Sequence, residues 1–86
     1  MKNRLAWQPK ALKQLEKIKE ITKRKQIYTE AQALADFPNC LNVKKLVNHD
    51  YSYRLRIGDY RVFFDFNGEV HIVSIEEVKK RNERTY

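Results

Sequence analysis

A chain of 86 residues and 10.4 kDa, 42% hydrophobic and 12% aromatic with two glycines and two prolines, reads as one small folded domain, 1–86. It is too short for two cores and too apolar for a disordered tail. The lone cysteine, Cys40, excludes an internal disulfide, and no four Cys and His ligands have the spacing of a zinc staple. Eighteen Lys and Arg against eleven Asp and Glu give a net charge of +7, a field that favours polyanions and acidic proteins as partners, although excess lysine also serves solubility alone. No apolar run is long enough to cross a bilayer and no signal-peptide core follows Met1, so the expected setting is a reducing cytoplasm with no membrane partner.

Asn3 to Trp7 reads as a short strand entering Pro9, which suits the first helical position because its missing N–H has no partner there. Leu12, Leu15 and Ile18 recur every three residues, a stripe that turns back by about 60° at each step. One continuous helix would therefore carry Ile21 to the side opposite Leu12. A turn near Lys19 to Thr22 is expected, then a second helix whose stripe Ile27, Ala31, Leu34 and Ala35 runs to about Asp36. Phe37-Pro38-Asn39 closes it. Beyond Cys40 the character changes to strand: Val43 to Val47, the alternating Tyr51 to Arg56, and the aromatic and β-branched Tyr60 to Phe66. Gly58-Asp59 fits a two-residue type II′ turn and Asn67-Gly68 a two-residue type I′ turn. A last strand from Glu69 to about Glu77 would release a polar tail, Val78 to Tyr86. The order β-α-α-β-β-β-β predicts an α+β fold: N-terminal strand, helical hairpin, then antiparallel β-meander, with the helices packed on one face of a small twisted sheet. The first strand is expected to join that sheet.

A two-residue loop at Gly58-Asp59 sets Ile57 against Tyr60, Arg56 against Arg61, Leu55 against Val62 and Arg54 against Phe63. Like charges directly opposite destabilise a sheet. An anion between the guanidinium groups would resolve the conflict, because arginine's donor fork matches phosphate oxygens, and Phe63 on the same face offers a ring for a base. Surface salt bridges to Asp50, Asp59, Asp65 or Glu76 are the competing explanation. The second turn predicts Phe64 opposite His71, Val62 opposite Val73, Arg61 opposite Ser74 and Phe63 opposite Ile72. The core face is then Tyr53, Leu55, Val62, Phe64 and Val73. His71 on that face reads as structural, His49 lies in a loop beside Asp50, and neither anchors a metal site. The tail from Lys79 to Tyr86 packs four positive charges into eight residues, which suits nucleic acid and a solubilising terminus equally.

The run from Tyr53 to Phe64 resembles the "YRxRxGxYRVxY"-like hairpin of the RelE/ParE superfamily of bacterial toxins. The likeness extends over nearly the whole chain: the first strand, a "P-x-A-x-K-x-L" stretch from Pro9 to Leu15, the Lys44-Lys45-Leu46 strand, and a basic C-terminus ending on tyrosine. It implies a toxin of a type II toxin–antitoxin pair, neutralised by a cognate antitoxin, for which an acidic, partly disordered chain would suit the +7 charge. In the RelE-like branch the implied activity is metal- and cofactor-independent endoribonucleolytic cleavage of mRNA in the ribosomal A site, by attack of the 2′-OH on the adjacent phosphate. In the ParE-like branch it is inhibition of DNA gyrase without nuclease activity. A third possibility is a degenerate toxin kept, with its antitoxin, as a nucleic-acid-binding or transcription-corepressing module; operator DNA would be reached through the antitoxin. Position for position, the resemblance assigns Arg61 to the scissile phosphate, Arg56 and Arg54 to basic positions of the preceding strand, Arg81 or Lys80 to the cation that steadies the transition state, and Tyr86 to the base or a stacking residue. Lys44, Lys45, Phe63, Lys79, Lys80 and Arg84 complete the expected RNA-binding set. Many relatives end in His-Arg-x-x-x-Tyr, whereas this tail has no histidine and Arg81 lies five residues before Tyr86.

Overall fold

The computed structural model describes residues 2–80. Its elements are β1 (Arg4–Trp7), α1 (Pro9–Glu16), α2 (Ile21–Ala31) running into a 3-10 turn (Gln32–Asp36), β2 (Val43–Lys45), β3 (Tyr53–Ile57), β4 (Tyr60–Asn67) and β5 (Ile72–Lys80). The five strands form one sheet in the order β1-β5-β4-β3-β2. β1 runs parallel to β5 and the remaining pairs are antiparallel. The α+β architecture is the one expected, with two helices against one sheet face. Among the described residues no helix is long and apolar enough to cross a membrane.

The core lies between that face and the helices. Ala11 and Leu15 of α1, Ile27 and Ala31 of α2, and Leu34 and Phe37 meet Leu55, Ile57, Val62, Phe64, Val73, Ile75 and Val78 of the sheet. Burying a side chain such as Phe64 or Ile75 stabilises by about 1.5–3 kcal/mol, and both are fully enclosed. Phe37 sets its ring edge-on to three others, Tyr53 at 4.9 Å, Phe66 at 5.0 Å and Phe64 at 5.3 Å, an arrangement aromatic quadrupoles favour. In α1 the buried pair is Ala11 and Leu15, spaced i, i+4, while Leu12 is 40% exposed. The buried side of α1 is thus centred on Ala11 and Leu15 rather than on the expected three-residue stripe, although Ile18, beyond the helix end at Glu16, still packs against the core. Arg24 donates from α2 to the carbonyls of Glu16 (3.3 Å) and Ile18 (3.4 Å), meeting acceptors that the end of α1 leaves open.

The first hairpin has the expected register, Ile57 to Tyr60 through Tyr53 to Phe64. The second does not. Asn67 pairs with Ile72, Phe66 with Val73 and Phe64 with Ile75; after a bulge at Phe63/Phe64 the pairs become Phe63–Glu77, Val62–Val78, Arg61–Lys79 and Tyr60–Lys80. A type I′ turn needs positive φ at both central residues, but the positive-φ position here is His71, at 53°. The Asn67 side chain instead accepts from the N–H of Glu69 (3.0 Å) and Val70 (3.4 Å), which widens the loop to residues 68–71. His71 is therefore exposed in the loop and off the core face, and Val78 to Lys80 belong to β5 rather than to a tail.

Asn3 ties the N-terminus to the end of the helical layer. Its backbone N–H donates to Ala35 (2.7 Å), and its buried side-chain amide donates to the carbonyls of Leu34 (3.2 Å) and Phe37 (2.8 Å). Asn3→Ala leaves those carbonyls buried without their donor. It should lower the unfolding free energy by about 1–3 kcal/mol, read as a lower urea midpoint at unchanged slope.

Candidate nucleic-acid interface

The face of the sheet opposite the helices carries two cross-strand rows. Lys79 of β5, Arg61 of β4 and Arg56 of β3 form one; Glu77, Phe63, Arg54 and Lys44, from β5 to β2, form the other. Gly58 makes the first row possible. It opens the two-residue turn at φ 55°, a conformation glycine adopts without steric cost, and so fixes Arg56 across from Arg61. Arg54, Arg56 and Arg61 line a recess of about 110 Å³ with Gly58 and Tyr60. That space accommodates one tetrahedral oxyanion among three guanidinium-bearing side chains.

Beside the recess the second row is covered by the β2–β3 segment. Phe63 is 7% exposed, with the His49 ring stacked on it at 5.1 Å and 14° and the Tyr51 ring tilted against it at 5.6 Å. Phe63 is thus the floor of an aromatic cluster and not the open ring expected of it, because its neighbours exclude other partners. Tyr51 precedes β3 instead of opening it. The segment is held by Ser52 N–H donating to Asp65 Oδ1 (2.8 Å), Leu46 N–H to the Ser52 carbonyl (2.9 Å) and Tyr51 N–H to His49 Nδ1 (3.1 Å).

Glu77 is the buried carboxylate of this face, 6% exposed. Lys10 (3.4 Å) and Lys79 (3.5 Å) reach its Oε1, to which Gln14 Nε2 donates at 3.3 Å, and the Tyr51 hydroxyl donates to the same carboxylate. Burial alone would raise its pKa, but the hydrogen bonds from Tyr51 and Gln14 and the charges of Lys79 and Lys10 outweigh it and hold Glu77 below the usual carboxylate range. Tyr51 moves the other way, to about 12, chiefly through its hydrogen bond to Glu77, with burial and nearby carboxylates adding to it. It is a hydrogen-bond donor at neutral pH and unsuited to act as a base.

Of the residues singled out in the sequence, the structure brings Arg54, Arg56, Arg61, Lys44, Lys79 and Phe63 to one face. Lys45 pairs with Tyr53 and Lys80 with Tyr60, which puts both on the side of the sheet that faces the helices; Lys80 there lines a groove of about 470 Å³ with Lys17, Lys19 and Val78. Arg81, Arg84 and Tyr86 lie outside the described residues. Glu77, Tyr51 and the stacking role of His49 were missed. The one sequence signal for them is Phe63 itself, since a large ring on an otherwise cationic face requires cover. Among the described residues no three His, Cys, Asp or Glu side chains gather to hold a metal ion.

The family model of the ParE toxin of the type II toxin–antitoxin system parDE matches residues 5–85. The chain belongs to this toxin family. Among solved structures it is similar to a chain of the archaeal RelE–RelB complex from Pyrococcus horikoshii OT3, at 24% identity and TM-score 0.78, covering 96% of this chain and 99% of that one. It is also similar to a chain of the RelBE2 toxin–antitoxin complex of Mycobacterium tuberculosis, at 20% identity and TM-score 0.80, covering 94% and 100%. The isolated E. coli RelE toxin matches at 22% identity and TM-score 0.76, covering 94% and 86%. Comparison with curated proteins finds no significant match. The toxin therefore has the RelE fold, with its cationic face built on the sheet.

The Tyr51–Glu77 bond makes a titration prediction for this toxin. A phenol whose pKa is raised from 10.0 to about 12 adds stability that is complete below the ordinary value and is lost as pH rises through the raised one. Phenolate absorbance should show a tyrosine titrating near 12, and Glu77→Gln should return it toward 10.0.

Proposed function

We propose that the toxin is a ribosome-dependent endoribonuclease that cuts mRNA in the A site and is neutralised by a cognate antitoxin. The observation that carries this reading is the convergence of Arg54, Arg56 and Arg61 on one oxyanion-sized recess, with Lys79 next to Arg61 in the same row. In the proposed reaction the 2′-oxygen attacks the adjacent phosphorus and the bond to the 5′-oxygen breaks. The proton of the 2′-OH passes to a base and the 5′-oxygen takes up a proton, leaving a 2′,3′-cyclic phosphate and a 5′-OH. An internal nucleophile needs positioning and charge stabilisation on the non-bridging oxygens, and the arginine forks supply both. Tyr51 is held as a donor by Glu77; the resemblance assigns the base to Tyr86 and the leaving-group cation to Arg81 or Lys80. The surrounding positive charge suits a ribosome, whose phosphates reward it. A cytoplasmic location follows from that target. The archaeal RelE–RelB and mycobacterial RelBE2 matches are toxin–antitoxin complexes, which supports an antitoxin partner here, with operator DNA reached through it.

The ParE family match favours a second reading, gyrase inhibition by surface binding without cleavage. Primer extension on a defined message, with and without ribosomes, separates the two. Discrete A-site cuts that require ribosomes and fall by about 10²–10³-fold in Arg61→Ala are expected. An intact message under active translation, together with loss of gyrase supercoiling, would establish the second reading instead. Tyr86→Phe cutting at the wild-type rate would remove that residue as the base.

A further inference from the structure

The geometry points to His49 as the residue on which a base of the cut RNA stacks; this rests on the cleavage reading above. His49 is the outer ring of a two-ring stack. Its inner face lies 5.1 Å from Phe63 at 14°, Phe63 is 7% exposed while His49 is exposed, and among the described residues the Tyr51 ring lies beside both, 5.8 Å from His49 and 5.6 Å from Phe63, rather than over the outer imidazole face. A flat ring with an aromatic floor and an open face is a stacking site for nucleobases of any sequence.

Two further observations place and fix this ring. Phe63 is the direct cross-strand partner of Arg54, one of the residues lining the recess, so the stack stands immediately beside the position proposed for the phosphate. Directly paired residues in a sheet lie about 4.5–5.5 Å apart at Cβ, which leaves the base of a nucleotide seated in the recess within reach of His49. The ring is also preorganised. Tyr51 N–H donates to Nδ1 at 3.1 Å, so in the neutral ring the hydrogen sits on Nε2, a donor for a base edge. Tyr51 is itself anchored through Glu77, and Ser52 through Asp65. Little ordering is left to be done on binding.

The competing role is a lid that only keeps water from Phe63. His49→Leu and His49→Phe separate the two, since leucine covers Phe63 without offering a π-face. Single-turnover cleavage is measured on ribosomes programmed with an intact message and with messages carrying an abasic nucleotide on either side of the cut. The expected result is a loss of about tenfold to a hundredfold for His49→Leu on the intact message, and no further loss on one abasic message. His49→Phe stays near wild type on the intact message, and the melting temperature of His49→Leu is unchanged. His49→Leu cleaving like wild type, or losing equally on every message, overturns the stacking role and leaves the cleavage reading standing. Wild-type protein that cuts no message removes both.

Discussion

Arg56 stands across from Arg61 because the turn between them has two residues, and the rest of the cationic face is spaced from that pairing. A one-residue slip would exchange the two faces of the strand, sending Leu55 and Val62 outward and the arginines into the core. Gly58 holds the register through backbone conformation and not through space: its φ is 55°, and a Cβ added there would meet no atom within 4 Å. The aliphatic face reinforces the same choice, since Leu55, Ile57 and Val62 all enter the core. Burial on one side thus forces like charges together on the other, a local cost of the kind that marks functional sites.

The bulge at Phe63/Phe64 is the second constraint. It changes which β5 residues share the outer face, so that Val78 packs inward while Glu77 falls beside Phe63 and Lys79 beside Arg61. Beyond the end of β1 the edge of β5 is met by α1, where Gln14 accepts from the Val78 N–H at 2.6 Å and donates to Glu77 at 3.3 Å. One carboxylate therefore links α1, β5 and the segment before β3. Removing it would leave Tyr51 without its anchor and Lys10 and Lys79 without their shared partner.

The sequence made the fold and the register of the arginine hairpin readable, for reasons that can be traced to particular residues. Pro9, the stripe from Ile27 to Leu34 and the Gly58-Asp59 turn are local signals, each tied to backbone geometry within a few residues. The second hairpin was misread because Asn67 spends its side chain on the N–H groups of Glu69 and Val70, a use that looks identical in sequence to a type I′ turn. The bulge has no signature of its own. An unbulged strand would put Glu77 on the core side, so the buried carboxylate and its bond to Tyr51 were hidden. Lys45 and Lys80 looked equivalent to Lys44 and Lys79, but strand alternation turns each pair to opposite faces.

The resulting toxin is a small sheet whose inner face supplies stability and whose outer face supplies a fixed cationic recess beside a covered aromatic floor. The proposed cleavage depends on where the phosphate sits. The most direct test is a structure of the protein on a ribosome whose A-site codon carries a 2′-deoxy nucleotide at the cleavage position, which blocks attack and preserves the complex. The account predicts the scissile phosphate seated among Arg54, Arg56 and Arg61. A message that passes elsewhere on the protein, with this face turned away from it, would contradict it.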